Sequence, residues 1–175
     1  NKIYVPNGNS GNVTVIDGAT NTVDATVATG AAPQAVAVNP VTNKIYVANA
    51  SFDNVTVIDG ATNDTTNVAA GSGPCAVAVN LVTNKIYVVN LYSDNVTVID
   101  GATSMVDTTI AVGTWPRAVA VNPVTNKIYV ANENSLSVTI IDGATNGTTT
   151  VATGNNPQAV AVNPVTNKIY VANYS

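Results

Sequence analysis

The sequence contains no histidine, one cysteine and one glutamate. Without imidazole the chain cannot build a Ser–His–Asp triad, a histidine zinc site or a histidine-ligated haem. Cys75 has no histidine to activate its thiolate and no second cysteine for an internal disulfide. No segment carries a helical period, so no phosphate loop leads into a helix. These absences predict a protein that is not an enzyme and that binds no cofactor or metal.

Charge is also scarce, because charged residues make up 9% of the chain and the net charge is −4. Such a chain could not neutralise a run of phosphates, which argues against nucleic acid as a partner. No stretch approaches the ~20 apolar residues of a membrane-spanning helix, so we expect no membrane span.

What the sequence has in abundance is repetition. The string Asn-Lys-Ile-Tyr-Val begins at positions 1, 43, 84, 126 and 167, a period of 41 or 42 residues. Each unit contains the same segments in the same order. Residues 1–175 are therefore predicted to form a single repeat array.

Each unit alternates short apolar runs with turn residues, as the second unit illustrates. Strand A is Gln34–Asn39, strand B is Lys44–Val47, strand C is Asn54–Asp59 and the more polar strand D is Thr65–Ala70. Four short strands in ~42 residues are typical of one β-propeller blade. We therefore predict an all-β propeller of four-stranded antiparallel blades, with the small residues of strand A innermost and strand D outermost.

The chain holds about four blades, but it opens and closes on strand B. Counting predicts 3, 4, 4, 4 and 2 strands in successive units. We expect either a window of a longer array or self-assembly in which several chains complete a ring or filament, in preference to a closed four-bladed monomer.

Repeated polar positions have structural explanations. The Asp-Gly of each C–D turn is expected to supply an Asx hydrogen bond and a left-handed glycine. Lys2, Lys44, Lys85 and Lys127 should face Asp17, Asp59, Asp100 and Asp142 across the B and C strands, and Tyr4 and its equivalents should wedge between blades.

The strand B motif Tyr-Val-X-Asn, with the segments VIDGATN and AVAVNP, resembles the YVTN family of β-propeller repeats. The motif recurs at Tyr4–Asn7, Tyr46–Asn49, Tyr87–Asn90, Tyr129–Asn132 and Tyr170–Asn173, so the resemblance covers essentially the whole chain. It implies a repeat scaffold in an extracellular or cell-surface setting of the prokaryotic envelope, as in surface-layer proteins. It implies no single activity.

Variation between units is confined to the B–C and D–A loops, which share one face of an up-and-down blade array, and to strand D. The non-repeated large or charged side chains fall in or next to these loops, and the candidate binding residues are Phe52, Tyr92, Trp115, Arg117, Glu133 and Tyr174. Aromatic residues clustered on an exposed face are typical of a binding surface and suit stacking on sugar rings.

Three hypotheses follow. The first is a non-enzymatic scaffold that binds a protein or glycan on a cell surface through the variable face. The second is a purely architectural envelope or fibre component. The third is a lactonase- or lyase-like propeller whose active residues lie outside this chain, since a carboxylate dyad within it would require Asp53 and Asp94 to converge.

Overall fold

In the computed structural model, residues 1–174 are described, and they form 17 β-strands and no helix. None of these residues therefore belongs to a helix that could span a membrane. The strands are β1 (Lys2–Asn7), β2 (Asn12–Asp17), β3 (Thr22–Ala28), β4 (Pro33–Asn39), β5 (Lys44–Asn49), β6 (Asn54–Asp59), β7 (Thr65–Ala69), β8 (Pro74–Asn80), β9 (Lys85–Asn90), β10 (Asn95–Asp100), β11 (Met105–Ala111), β12 (Pro116–Asn122), β13 (Lys127–Asn132), β14 (Ser137–Asp142), β15 (Thr148–Ala152), β16 (Pro157–Asn163) and β17 (Lys168–Asn173).

The strands are arranged as successive antiparallel blades. Blade 1 is β1–β3, blade 2 is β4–β7, blade 3 is β8–β11, blade 4 is β12–β15 and blade 5 is β16–β17. The A strands β4, β8, β12 and β16 lie side by side along the inner edge of the array. The predicted all-β blade architecture is confirmed, and β1 and β16 belong to separate sheets, so residues 1–174 form an open array.

The core lies between blades and not within them, because a single sheet can bury its faces only against a neighbour. Tyr46 and Ala48 of β5 pack against Ile86 and Val88 of β9, and the same pattern joins blade 3 to blade 4. Tyr46 and Tyr87 are 0% and 1% exposed, so the predicted wedge between blades is confirmed for them, whereas Tyr170 in the two-stranded blade 5 is 56% exposed.

The Asp residues of the C–D turns act as predicted, but the glycines that follow them do not. Asp100 Oδ1 accepts hydrogen bonds from the backbone amides of Ala102 and Thr103. Gly101 does not have a positive φ; the left-handed residue of the turn is Ser104, with φ 57°. A Cβ at position 101 would collide with the Asn84 side chain, so close approach is what requires glycine here.

The lysines face the predicted aspartates in register, but only two of the four ion pairs form. Lys85 and Lys127 contact Asp100 and Asp142 at 2.8 and 2.5 Å. Lys2 pairs instead with Asp24 on β3. The fourth lysine, Lys44, donates to the Gly101 carbonyl and Ser104 Oγ of the next blade.

Candidate functional site

The B–C and D–A loops form one face of the array, here called the loop face, and the A–B and C–D turns form the opposite turn face. Each D–A loop has a left-handed residue just before the proline that opens the next A strand. These residues are Ala32, Gly73, Trp115 and Asn156, with φ between 48° and 67°. Three of them are small or readily left-handed, whereas Trp115 is a bulky residue in a conformation that costs it about 1–2 kcal/mol.

The Trp115 backbone is held in place from both sides. Its amide donates to Asp94 Oδ1 at 2.9 Å, and its carbonyl accepts the Glu133 amide at 2.9 Å. The equivalent amide of Gly73 donates to Asp53 Oδ1 at 2.9 Å. Asp53 and Asp94 therefore each bind the following D–A loop, and their carboxylates serve two different loops instead of converging as a dyad.

Three of the predicted site residues form one cluster. Arg117 is the second residue of strand β12, and its guanidinium carbon lies 5.6 Å from the Trp115 ring centre. Arg117 Nε donates to Glu133 Oε2 at 2.5 Å. The Glu133 side chain is only 15% exposed, whereas the Arg117 side chain is 37% exposed, so water is largely excluded from the carboxylate side of the pair.

The cluster extends into blade 5 through a residue that sequence analysis did not select. Gln158 Nε2 donates to Glu133 Oε1 at 3.5 Å, so both carboxylate oxygens of Glu133 have a donor. Gln158 occupies in blade 5 the position that Arg117 occupies in blade 4. Glutamine also occurs at the equivalent position of blade 2, as Gln34. Gln158 is therefore missed when only non-repeated residues are selected.

Cys75 occupies the same strand position in blade 3 and lies against the neighbouring A strand. Its thiol donates to the Pro116 carbonyl, with 3.5 Å between the heavy atoms. Burial raises the pKa of the Cys75 thiol to about 11. A thiol that stays protonated at neutral pH is a poor nucleophile.

The remaining predicted residues lie on the loop face but outside this cluster. Tyr92 packs over Gly73, where a Cβ would lie 2.5 Å from the Tyr92 ring. Phe52 is 62% exposed in the B–C loop of blade 2. Tyr174, which is 68% exposed, has the loop position in blade 5 that Glu133 has in blade 4.

A hydroxyl-lined groove lies between blades 3 and 4, and its lining does not include Trp115, Arg117, Glu133 or Gln158. Its volume is about 470 Å³, and its lining includes Ser135, Ser137, Thr139, Thr148 and Thr150. Next to Gly113, Thr114 bonds Ser135 Oγ through both its backbone amide (2.6 Å) and its hydroxyl (2.8 Å). Two of the lining residues, Gly113 and Ser135, thus lie two positions along the chain from Trp115 and Glu133.

Within residues 1–174, no group of three or more potential metal-ligating side chains comes together. The chemical resources of the site are thus an exposed indole, a paired arginine and carboxylate, amides and hydroxyls. Such a set favours binding of a polar ligand with a flat apolar face.

Comparison with solved structures places the chain among β-propeller-like proteins. It is similar to Kuenenia stuttgartiensis hydrazine synthase, with TM-score 0.88, 24% identity, and coverage of 97% of this chain and 51% of that chain. It is also similar to a functionally unknown protein from Desulfotomaculum acetoxidans DSM 771, with TM-score 0.85, 16% identity and coverage of 99% and 60%. A third similar structure is the dihydro-heme d1 dehydrogenase NirN in complex with DHE, with TM-score 0.83, 18% identity and coverage of 99% and 40%.

These likenesses show the fold, and the chain spans about half the length of the proteins that it matches. No family model matches the sequence, and no curated protein matches it either. The propeller architecture implied by the YVTN resemblance is thus confirmed, whereas membership of that family remains a prediction.

The expectation that the protein is not an enzyme is contradicted. Two of the similar structures are named as enzymes, a synthase and a dehydrogenase, and they share this blade architecture over nearly the whole chain. The prediction was based on counting catalytic side chains within 175 residues. That count is a weak argument, because propellers host many functions and a fold does not itself decide between them.

Proposed function

We propose that the chain is a ligand-binding β-propeller segment that recognises a partner through its loop face. The observation that carries this proposal is the Trp115–Arg117–Glu133 cluster, in which non-repeated side chains from β12 and two loops meet at the loop face. No other blade has a tryptophan, an arginine or a glutamate at these positions.

The contrast with the turn face supports the proposal. There the asparagine that ends each A strand repeats from blade to blade, and so does its contact with the next blade: the pairs Asn39–Asn84, Asn80–Asn126 and Asn122–Asn167 each bond at 2.8 Å. A repeated contact maintains the array. Side chains that differ between blades, yet are exposed or paired across loops, are instead available for recognition.

We further propose that the chain is a YVTN-type repeat segment and acts outside the cell or at the prokaryotic cell surface. The support is its repeated Tyr-Val-X-Asn strand and its low charge, with neutral Asn, Thr and Ser covering much of the surface. The proposed partner is accordingly a surface molecule of protein or glycan type.

The test compares two variants of the 175-residue chain. The loop-face variant replaces the six candidate residues with those found at equivalent positions in other blades: Phe52→Ser, Tyr92→Ser, Trp115→Asn, Arg117→Gln, Glu133→Ala and Tyr174→Ala. The turn-face control carries Val41→Thr, Val82→Thr and Val124→Thr, at valines that are 73–75% exposed.

Both variants and the parent are applied to an immobilised panel of purified polysaccharides and bacterial envelope proteins, after circular dichroism has shown that all three are folded. Binding by the parent and the control, with loss in the loop-face variant, is expected. Binding that survives in the loop-face variant, or that the turn-face control loses, contradicts the proposal.

A further inference from the structure

Trp115 is one of two bulky apolar residues of the loop face with a left-handed backbone, the other being Leu136 with φ 49°. Trp115 has φ 54° and is 43% exposed, so extensive burial does not offset its conformational cost. At the equivalent positions the chain uses Ala32, Gly73 and Asn156. A strained residue that local stability does not require points to a role in function.

The strain has a geometric consequence. The left-handed backbone, fixed by Asp94 and by the Glu133 amide, holds the indole at the loop face beside the Arg117 guanidinium. The flat apolar ring is thus held in a defined place before any ligand arrives. A ligand stacking on it would lose less entropy than one that has to order a mobile side chain.

The polar groups around the indole are also fixed. Glu133 is bonded by Arg117 on one oxygen and Gln158 on the other, and the opposite charges of Arg117 and Glu133 compensate each other. A carboxylate oxygen has room for more than one donor, and the guanidinium has further N–H groups. The cluster therefore offers several hydrogen-bonding positions without an excess of either charge.

We infer that Trp115 is the stacking platform of a neutral saccharide site, with Glu133 and Gln158 bonding the hydroxyls of the stacked ring. This inference rests on the proposed function and names its ligand class. A longer saccharide would extend towards the hydroxyl-lined groove of about 470 Å³, whose lining includes Gly113 and Ser135. A groove of this size is within the range of small-ligand sites.

The surroundings favour a sugar over other ligands. Protein-binding hot spots place an aromatic residue in an apolar, desolvated centre, whereas the Trp115 indole is 43% exposed and lies beside the charged Arg117 guanidinium. An acidic sugar would bring a second carboxylate next to Glu133, which already compensates the charge of Arg117. A neutral pyranose suits both the indole and the polar groups of the cluster, because its C–H face is apolar and its hydroxyls can form hydrogen bonds.

Trp115 is the only tryptophan of the chain, so its fluorescence reports on this site alone. The parent is titrated with cello-, malto- and manno-oligosaccharides and, for comparison, with oligogalacturonate. We expect a saturable change in fluorescence with at least one neutral series and at least about tenfold weaker binding of oligogalacturonate, since the site has no unpaired cation.

Glu133→Gln keeps the shape of the side chain and the fluorescent reporter but removes the charge that pairs Arg117. It is expected to weaken saccharide binding by about tenfold or more, since hydrogen bonds to charged groups are the stronger ones. Trp115→Asn, followed by calorimetry, is expected to abolish binding. Phe52→Ser, on the same face but outside the cluster, is expected to change the affinity less than about twofold.

The outcomes separate this inference from the proposed function. Absence of any saccharide response, preference for oligogalacturonate, or unchanged affinity in Trp115→Asn overturns the saccharide site. If the panel experiment still shows binding that depends on the loop face, the proposed function stands and only its ligand class is wrong. If panel binding is also insensitive to the loop-face variant, both are wrong.

Discussion

Asn80 of blade 3 donates a 2.8 Å hydrogen bond from Nδ2 to Oδ1 of Asn126 in the turn of blade 4. Asn80 is completely buried, and its own Oδ1 accepts the backbone amides of Val82 and Thr83. One side chain thus shapes its A–B turn and joins two blades. The same geometry recurs at the blade 2–3 and blade 4–5 junctions, which explains why both asparagines repeat with the blade period.

Asn80→Ala is expected to lower the free energy of unfolding by about 1–3 kcal/mol. The substitution leaves Asn126 Oδ1 and two turn amides without their partner, and unpaired buried polar groups cost about that much. Urea denaturation followed by circular dichroism measures the change. The matched control is Asn163→Ala in blade 5, where the equivalent side chain is half-buried and bonds only the amides of its own turn. Equal losses in the two variants would show that the bond between blades contributes nothing.

Gly101→Ala is expected to destabilise the protein by about 1–3 kcal/mol, the usual cost of forcing atoms into a well-packed site. The added Cβ would collide with the Asn84 amide, which bonds Asn39. Gly8→Ala is the control, because the nearest atom to its Cβ would be the Pro33 carbonyl oxygen at an ordinary 3.5 Å. Thermal unfolding of both variants measures the difference. A Gly101→Ala protein as stable as Gly8→Ala would mean that the turn adjusts freely.

The glycine of the C–D turn illustrates what the sequence could and could not predict. Period-two patterning and turn residues predicted the strands, their order and the lysine–aspartate register, because these depend on neighbours along the chain or across one hairpin. Gly101 lies opposite Asn84 across the same hairpin, but the strand pattern gives this pairing and not the close distance between the two residues. The partners of Lys44 lie in the next blade. Atomic distances and contacts between blades are set by packing, and local pattern does not reveal them.

The candidate site, like the fold, could be predicted from the sequence only in part. Comparison between repeats selected Trp115, Arg117 and Glu133, and the structure brings these three together. The comparison between repeats did not select Gln158, because glutamine also occurs at the equivalent position 34. It also did not select the Asp94 carboxylate as the acceptor that holds the Trp115 amide. The groove hydroxyls were also missed, since threonine and serine are too common in this chain to stand out.

Lowering the pH is expected to destabilise the array between about pH 4 and pH 2. The Lys85 and Lys127 ammonium groups, followed by turn amides, lower the pKa of Asp100 and Asp142 from 3.8 to about 2. A carboxyl whose pKa is lowered by folding stabilises the native state above its unfolded-state pKa. That contribution is lost as the pH falls through its folded-state pKa. Melting temperatures recorded from pH 7 to pH 2 measure the effect.

The double variant Asp100→Asn/Asp142→Asn separates the charge from the turn geometry. Asparagine keeps the Oδ1 that accepts the turn amides but cannot ionise. We expect the variant to melt below the parent at pH 7 and to approach it near pH 2. Two curves that remain parallel over the whole range would show that these aspartates do not account for the acid sensitivity.

Trp115→Gly is expected to change the free energy of unfolding by less than about 1 kcal/mol in either direction. Glycine relieves the left-handed strain, worth about 1–2 kcal/mol, but loses the contact with Arg117, worth about 0.5–1 kcal/mol, and gains unfolded-state entropy. Tyr87→Ala, at a core tyrosine that is 1% exposed, provides the contrast and should cost about 3–5 kcal/mol, as large aromatic truncations in cores do. Urea denaturation of both variants measures the change in the free energy of unfolding.

If Trp115→Gly were destabilised nearly as much as Tyr87→Ala, the indole would be a structural residue of the blade 3–4 junction. A near-neutral result would instead mean that the indole is dispensable for folding and remains available as a contact surface for a ligand.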